Sequence, residues 1–404
     1  MSVEEKKSVI ITFKKKDKRP DKKKDKLEIF ENTIGSGINF RDTGLMTRDN
    51  QFPAGVSNVD LGYDINEYDA PILTAALSES EIGELKKNKN ISLIEDDGKC
   101  FAQNVSYEIE GQPPVSSETI PAGVALIKSH LAWGASKGRG VKVAVLDSGI
   151  DYNHPDLTSN FRDGISFVPG QTLMDGYSHG THCAGTIAAA KNGSGVIGVA
   201  PEAFIYGVKV LNNSGEGRWS WLISGINWCI SNKMQILNIS LGGDVAPAAL
   251  EIICDTAWSK GLLLIASAGN KGPETDTVTY PAKYKNVIGV SALNGNNKLA
   301  DFSSRGPEVG LCAPGVNVLS TIPGGRYGQM DGTSMACPHV TGAAALAWGA
   351  HRFSDNETIW NLLAEGADNL GIPGWDNNFG YGRVDAEQST FPFNQPNVYQ
   401  KKPD

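Results

Sequence analysis

The sequence predicts an α/β fold in which helices cover both faces of a mostly parallel sheet. From Val141 onward, near-continuous apolar runs of strand length recur along the chain. Such runs are typical of parallel strands buried on both faces, and helix-like spacing between them indicates that strands and helices alternate. The runs are VKVAVL, IYGVKVL, MQILNIS, GLLLIASA and NVIGVSA, and the helical segments include 219–232 and 248–260.

A second, smaller α+β domain is predicted before residue 100. The segment APILTAALSESEIGELKKNKNISLIEDD has the pattern of a strand, a helix and a second strand. Ser78 or Ser80 is a candidate cap at the start of the helix, and Ile82, Leu85 and Ile91 supply apolar side chains. These features together predict a separate small domain.

Two polar stretches divide the chain. The run from Lys14 to Lys26 is rich in Lys and Asp, and we interpret it as a solvated loop rather than a docking patch. The stretch GQPPVSSETI, residues 111–120, has the Pro and Ser content of an exposed linker. We therefore predict four parts: an amino-terminal domain over 1–99, a linker over 100–117, a large domain over 118–390 and a tail over 391–404.

Composition restricts the classes of binding partner and the cellular location that we expect. The 404 residues carry a net charge of −8, which disfavours nucleic acid and anionic membranes because both reward a basic face. No apolar stretch approaches the roughly 18 residues that a membrane span needs. The first thirty residues show no Sec signal peptide, and the six cysteines lack CxxC pairing, as is typical of reduced thiols. We expect a cytoplasmic protein, with export by a non-Sec route as the alternative.

Polar residues and glycines follow three of the predicted strands. VKVAVL is followed by Asp147, MQILNIS runs into Leu241-Gly242-Gly243, and GLLLIASA is followed by Gly269-Asn270. In open parallel sheets, ligands gather outside the carboxyl ends of the strands. Each residue alone is also explained by a turn. Together they predict an acid, a backbone edge and an amide donor along one rim.

A serine and a histidine complete a candidate catalytic group. Ser334 precedes an Ala-rich helical segment that contains Pro338, a residue tolerated in the first turn of a helix. Free N–H groups at a helix N-terminus stabilise an oxyanion, so the position suits a nucleophile, although it also suits a simple cap. A serine nucleophile needs a histidine base and a carboxylate to orient that base, and His179 and Asp147 are available.

The stretch YSHGTHCAGT, which contains His179, leaves more than one chemistry open. His179 and His182 lie three residues apart with Cys183 beside them, a pattern compatible with a metal site, a redox site or a proton shuttle. A zinc-like site needs a third and a fourth ligand, and we find no convincing candidates nearby.

The motifs VAVLDSGIDYNHPDL, SHGTHCAGT, SLGG, ASAGN and GTSMACPHVTG resemble, in this order, those of the subtilisin-like serine proteases. The similarity runs from about Glu118 to Asp385. It implies the three-layer fold of that family and serine endopeptidase activity, with Ser334 as nucleophile, His179 as base and then acid, and Asp147 as the orienting carboxylate. Asn270 and the Ser334 N–H would stabilise the oxyanion, His182 and Cys183 would be structural, and the proton shuttle is favoured.

The resemblance also implies a groove that pairs an extended peptide with two strand edges. The residues concerned are Ser240, Leu241, Gly242 and Gly243 on one edge and Gly215 to Gly217 on the other, with Trp219 and Leu222 at an apolar pocket four residues before the scissile bond. Thr279 would form the floor of the primary pocket. Lys271 would lie at its rim, where a cation favours acidic side chains.

A structural calcium ion and an inhibitory pro-domain are further implications of the resemblance. The calcium ligands would be the side chains of Glu118, Asp156 and Asn192 and the carbonyls of Ala190, Ser194 and Val196. Residues up to about Asp97 resemble the ferredoxin-like α+β pro-domain of the family, which assists folding and then blocks the groove. Self-processing of this zymogen would fall between about Cys100 and Ser117.

Several alternatives share the motifs. Within the same acyl-enzyme chemistry, the chain could be a dedicated processing protease or a transpeptidase. A non-catalytic peptide-binding scaffold is disfavoured because Asp147, His179, Asn270 and Ser334 are all present. A cysteine-dependent enzyme that uses Cys183 or Cys337 is also disfavoured, since both are explained as small buried side chains.

Overall fold

The computed structural model describes residues 6–14, 29, 32–34, 72–103 and 117–391, and only the backbone of 40–42, 59–61 and 106–108. Almost all of the predicted Lys-rich loop and most of the predicted tail lie outside the described residues. None of the helices in these ranges is both long and apolar enough to cross a membrane.

The amino-terminal domain is an α+β unit. Its sheet has the strand order β2-β3-β4-β1-β5. In the sequence, its helix α1 lies between β4 and β5. The helix begins with a capping box, in which Ser78 Oγ accepts from Glu81 N at 3.3 Å and the Glu81 carboxylate accepts from Ser78 N at 2.8 Å. The elements are β1 Lys7–Phe13, β2 Phe40–Asp42, β3 Val59–Leu61, β4 Ile72–Leu77, α1 Glu79–Leu85 and β5 Ile91–Asp96.

The large domain contains a seven-stranded sheet of order β16-β15-β14-β12-β8-β10-β9, in which all the described pairs of neighbours are parallel. The five apolar runs are strands of this sheet, as predicted. The strands are β8 Lys142–Asp147, β9 Phe161–Ser166, β10 Phe204–Lys209, β12 Ile236–Ile239, β14 Leu263–Ser267, β15 Ile288–Leu293 and β16 Val309–Pro314.

Helices cover both faces of this sheet, which confirms the three-layer fold. Successive side chains of a strand point to opposite faces, so Val143 and Val145 of β8 pack in one core with α4 and α7, whereas Ala144 and Leu146 pack in another with α5 and α6. The helices are α2 Ala122–Leu126, α3 Ser129–Ala132, α4 His179–Ala188, α5 Trp219–Ser231, α6 Ala248–Ser259, α7 Thr333–Ala350, α8 Asn356–Glu365 and α9 Ala386–Thr390.

Two small antiparallel sheets join the chain before residue 109 to the large domain. Strand β6 lies between β11 and β13, and β7 lies at the edge of β18, whose other neighbour is β17. The predicted domain boundary at residue 99 therefore falls inside a strand, because β6 pairs with partners far away in the sequence. The strands are β6 Lys99–Ala102, β7 Ser106–Glu108, β11 Glu216–Arg218, β13 Leu241–Gly242, β17 Val318–Ile322 and β18 Arg326–Asp331.

Candidate active site

Asp147 and His179 meet at the carboxyl end of the central strand. Asp147 is the last residue of β8, and His179 is the first residue of α4. His179 Nδ1 lies 2.7 Å from Asp147 Oδ1, and both side chains are almost completely buried. This contact leaves His179 Nε2, which is buried and has no hydrogen-bond partner among the described residues, as the nitrogen available for proton transfer.

A second buried acid, Asp175, holds this pair in place and was missed by sequence reasoning. Its carboxylate accepts hydrogen bonds from Ser148 Oγ at 2.9 Å, from Ser178 N at 2.9 Å and from Thr181 Oγ1 at 2.6 Å. Because Ser148 follows Asp147 and Ser178 precedes His179, the Asp175 carboxylate fixes the backbone beside both members of this pair. An acid just before a predicted helix is the one signal that could have identified it.

Ser334 is the second residue of α7, with its backbone N–H at the free N-terminus of the helix. Its Oγ donates to the carbonyl of Ser240 at 2.8 Å and accepts from Gln103 N at 3.1 Å. The described hydrogen bonds do not include one between Ser334 and His179. The structure thus brings the predicted serine to the groove with its hydroxyl turned toward Ser240.

A proline within α7 leaves one backbone carbonyl at the site without a partner in the helix. Pro338 is the sixth residue of α7, not in the first turn as expected, so its missing N–H leaves the Ser334 carbonyl without its usual partner within the helix. Ser240 Oγ donates to this carbonyl at 3.0 Å, and Cys183 Sγ donates at 3.6 Å. Through this carbonyl, Ser334 is linked to the groove edge and to α4.

The carbonyl oxygen of Gln103 occupies the position of an oxyanion. It accepts from Asn270 Nδ2 at 2.7 Å and from Ser334 N at 3.3 Å. The Asn270 amide is oriented by Thr333, whose N and Oγ1 donate to Asn270 Oδ1 at 3.0 and 2.9 Å. Two donors therefore converge on a carbonyl of the chain itself, at the start of α7 where the helix dipole adds to their effect.

Strand β6 fills the predicted groove as an extended peptide. It pairs antiparallel with β11, where Phe101 is opposite Glu216, and with β13, where Phe101 is opposite Gly242. Further contacts run from Ala102 N to Gly215 O at 3.0 Å and from Gln103 N to Ser240 O at 3.4 Å. The two edges predicted from the resemblance are thus the two edges that flank β6.

Two pockets receive side chains of this strand and of the residue that follows it. Cys100 is fully buried and belongs to the same apolar cluster as Trp219 and Leu222, the residues predicted to line the apolar pocket. Gln103 lies in the primary pocket, where its amide meets Thr279, the predicted floor, and Ser267, which sequence reasoning missed.

Lys271 forms an ion pair with Asp244 at the mouth of the groove. Its charge is therefore already matched by a carboxylate of the large domain. This contact weakens the expectation that Lys271 favours acidic side chains in the primary pocket.

The predicted calcium ligands converge on the loop 190–196. Asn192 Nδ2 lies 3.0 Å from Asp156 Oδ1, and Glu118 Oε1 accepts from Gly193 N at 2.8 Å. Asp156 is fully buried, and its other oxygen accepts from Tyr327 Oη at 2.9 Å, a contact that sequence reasoning missed. The predicted donors are two carboxylates, an amide oxygen and the loop carbonyls of Ala190, Ser194 and Val196, and all are of the oxygen type that Ca²⁺ prefers.

His182 and the two nearby cysteines are buried, and burial disfavours the charged form of each. His182 Nε2 lies 2.8 Å from the Val318 carbonyl, and burial lowers the pKa of His182 to about 3. Burial raises the pKa of the Cys183 thiol well above its usual value and that of Cys337 to about 12. Potential ligand atoms of Asp147, His179 and Cys183 lie within 4.8 Å of one another. His179 Nδ1 is engaged by Asp147, however, and the protonated thiol is a poor metal ligand.

Comparison with known proteins agrees with the geometry. The model of the subtilase family, Peptidase S8, matches residues 138–382. Subtilisin E of Bacillus subtilis (strain 168) is 46% identical over 314 residues, 76% of this chain and 77% of the relative. Subtilisin of Bacillus pumilus is 48% identical over 66% of this chain and 96% of its own length, and an alkaline protease of Alkalihalobacillus alcalophilus is 42% identical over 79% of each.

The expectation of a cytoplasmic location is wrong, because these close relatives are secreted, extracellular subtilisins. The expectation relied in part on the six unpaired cysteines. All six are buried in the structure, where a thiol serves as a small apolar side chain and its presence does not report on the redox compartment.

Family model, sequence identity and site geometry lead to one assignment. The matched segment covers more than half of the chain and includes Asp147, His179, Asn270 and Ser334. The chain therefore belongs to the subtilase family, and it is a serine endopeptidase.

Proposed function

We propose that the chain is made as a zymogen and cuts itself after Gln103. The observation that carries this proposal is the Gln103 carbonyl, held between Asn270 Nδ2 and Ser334 N. The chain is also held on the other side of this position, since β7 pairs with β18 from Ser106 to Glu108. A peptide bound on both sides of one carbonyl beside a serine nucleophile is placed for cleavage in cis.

The residues of the site have defined roles in this reaction. The Ser334 hydroxyl, which donates to the Ser240 carbonyl in the structure, first turns toward His179 Nε2. Its Oγ then adds to the carbonyl carbon of Gln103 while His179 Nε2 takes the Oγ proton, and Asp147 stabilises the imidazolium. His179 then gives the proton to the nitrogen of Asn104, and the bond between that nitrogen and the carbonyl carbon breaks. Water hydrolyses the resulting ester and leaves Gln103 as a new carboxyl terminus.

After the cut, the amino-terminal domain remains in the groove as an inhibitor. Its carboxylates supply caps that two helices of the large domain lack, because neither Arg218 before α5 nor Pro247 before α6 makes a side-chain cap. Asp97 Oδ1 accepts from Ser220 N at 2.9 Å, and Glu95 Oε1 accepts from Ala248 N at 2.8 Å. Carboxylates at helix N-termini are favourable because they meet unpaired N–H groups and the positive end of the dipole.

The decisive experiment is the intact mass of the purified protein beside that of Ser334→Ala. We expect the first protein to appear as a fragment ending at Gln103 and its complement, and Ser334→Ala to stay whole. Cys337→Ala, which changes a buried thiol on the same helix, is the matched control and should process. If the unaltered protein stays whole, activation by another protease or a scaffold role replaces this proposal.

Calcium would be held by Glu118, Asp156, Asn192 and the loop carbonyls, where it would supply structural cross-linking rather than catalysis. At about a hundred times its Kd, a bound ion stabilises a fold by about 2.7 kcal/mol. In the inactive Ser334→Ala protein, EDTA should therefore lower the melting temperature, and Asp156→Ala should abolish this response. The control variant Asp163→Ala, at an exposed residue, should keep the response to EDTA. Equal responses in both variants would contradict calcium binding at Asp156.

A dedicated processing role and transpeptidation are both compatible with the acyl-enzyme. Incubation with a panel of unstructured proteins separates them from general proteolysis. Broad degradation argues against a dedicated protease, and products extended by an added amine identify acyl transfer.

A further inference from the structure

Both polar atoms of the Gln103 side-chain amide form hydrogen bonds in the pocket. Ser267 Oγ donates to Gln103 Oε1 at 2.6 Å, and Gln103 Nε2 donates to Thr279 Oγ1 at 2.6 Å. Both hydroxyl residues are buried, and Gln103 itself is only 9% exposed. We infer that the primary pocket selects glutamine immediately before the scissile bond, a specificity that rests on the proposed cleavage after Gln103.

The two hydroxyls take opposite roles toward the amide. Thr279 Oγ1 uses its own proton on the Ala268 carbonyl at 3.3 Å, so it faces the amide as an acceptor. Ser267 places its proton on the amide oxygen and faces it as a donor. One acceptor and one donor at this spacing match a carboxamide and no other common side chain of the same length.

Glutamate fits the pocket in size but not in polarity. One of its carboxylate oxygens would lie against the Thr279 lone pair, with no proton between them. The cation nearest in sequence to Asn270, Lys271, is paired with Asp244 at the mouth of the groove and does not compensate a buried anion. The pocket therefore rejects a carboxylate that it must also desolvate.

Methionine and leucine fit in volume but leave Ser267 and Thr279 without their partners. Leaving buried polar groups unpaired lowers the rate for such residues by about tenfold to a hundredfold. The wall of the pocket lies close to the amide, because a Cβ atom on Gly242 would lie 2.3 Å from Gln103 Nε2. In contrast, the side chain of Phe101, two residues earlier, is 45% exposed and contributes little to selection.

The experiment uses the full chain as its own substrate. Each chain is extracted in denaturant before it can fold and process, and is then diluted into refolding buffer. The loss of intact mass is followed for the unaltered chain, Gln103→Met and Gln103→Glu. We expect both variants to process at least tenfold more slowly. The masses of the fragments identify the bond that is cut.

Changing the two pocket residues distinguishes a loss of selection from a folding defect. In a chain carrying Ser267→Ala and Thr279→Val, the order should reverse, so that Gln103→Met processes at least as fast as Gln103. Ser259→Ala, an exposed serine on α6, is the matched control and should keep the preference for glutamine.

The outcomes separate this inference from the proposed function. Equal rates for glutamine and methionine in the unaltered pocket, or a cut at another bond, overturn the selection of glutamine and leave self-processing in place. If no chain loses a fragment, the unaltered one included, self-processing fails and the inference fails with it.

Discussion

The amino-terminal domain and the large domain bury their apolar side chains on very different scales. The large domain has an extensive core on each face of its seven-stranded sheet, whereas the described part of the amino-terminal domain has one small cluster around Ile11, Leu77 and Leu85. Small cores supply little net stability after chain entropy is subtracted. The smaller domain therefore depends on contacts with the larger one, through Glu95, Asp97 and strand β6.

Truncating one buried leucine in each core should give the largest difference between the two domains. Leu85→Ala and Leu237→Ala each remove a fully buried side chain, and each should cost about 2–5 kcal/mol. In the Ser334→Ala protein, we expect Leu85→Ala to unfold the amino-terminal domain, while Leu237→Ala leaves the large domain folded. Hydrogen exchange measured strand by strand should show lost protection in β1 and β4 only for Leu85→Ala. Retained protection there would show that the small core is sufficient.

Removing one interface carboxylate should have the next largest effect. Asp97 is buried and accepts from Ser220 N, Ser220 Oγ and Ser8 Oγ, so Asp97→Ala leaves donors unpaired in both domains. We expect a loss of about 1–3 kcal/mol in the docking free energy. Urea titration of the Ser334→Ala protein, followed by exchange in β1, measures this loss.

The neighbouring residue offers a matched control for this test. The Asp96 side chain is 82% exposed and contacts only Lys7 among its described ion pairs. Asp96→Ala should change docking by well under 1 kcal/mol. Similar losses for Asp96→Ala and Asp97→Ala would contradict a specific role of the buried carboxylate.

The large domain also contains a buried lysine, and the stability that this residue contributes depends on pH. Lys209 is fully buried, with Nζ donating to Ser148 O and to Asn213 Oδ1, and burial lowers its pKa to about 8 although Asp175 and Asp147 oppose the shift. Between about pH 8 and the ordinary value of 10.5, the unfolded chain binds more protons than the folded one. Stability contributed by this group therefore rises with pH in that window, by at most about 1.4 kcal/mol for each pH unit.

The measurement is the difference in melting temperature between the Ser334→Ala protein and the same protein with Lys209→Met, taken across this window. Methionine has a similar length and cannot titrate, so shifts from other groups cancel. The difference should move in favour of Lys209 as the pH rises. A constant difference would mean that Lys209 keeps an ordinary pKa in the folded protein.

The predicted catalytic residues could be picked out because they stand at marked positions. Asp147 ends a strand, Asn270 follows one closely, and Ser334 lies at a helix start. The strand that fills the groove, β6, could not be predicted in the same way. Gln103 and Ser334 are 231 positions apart, and KCFAQ has no feature that distinguishes a bound strand from a linker. Ser267 was missed because a serine in a buried strand shows its function only beside the side chain it holds.

Cys100 offers a way to follow the inhibition proposed above, because its thiol is buried only through strand β6. All six cysteines are buried while β6 lies in the groove, and five of them belong to the large domain. Departure of the amino-terminal domain brings one thiol, that of Cys100, into water. A coloured thiol reagent added to the processed protein should therefore react with a single group per molecule, at the pace at which the groove is vacated.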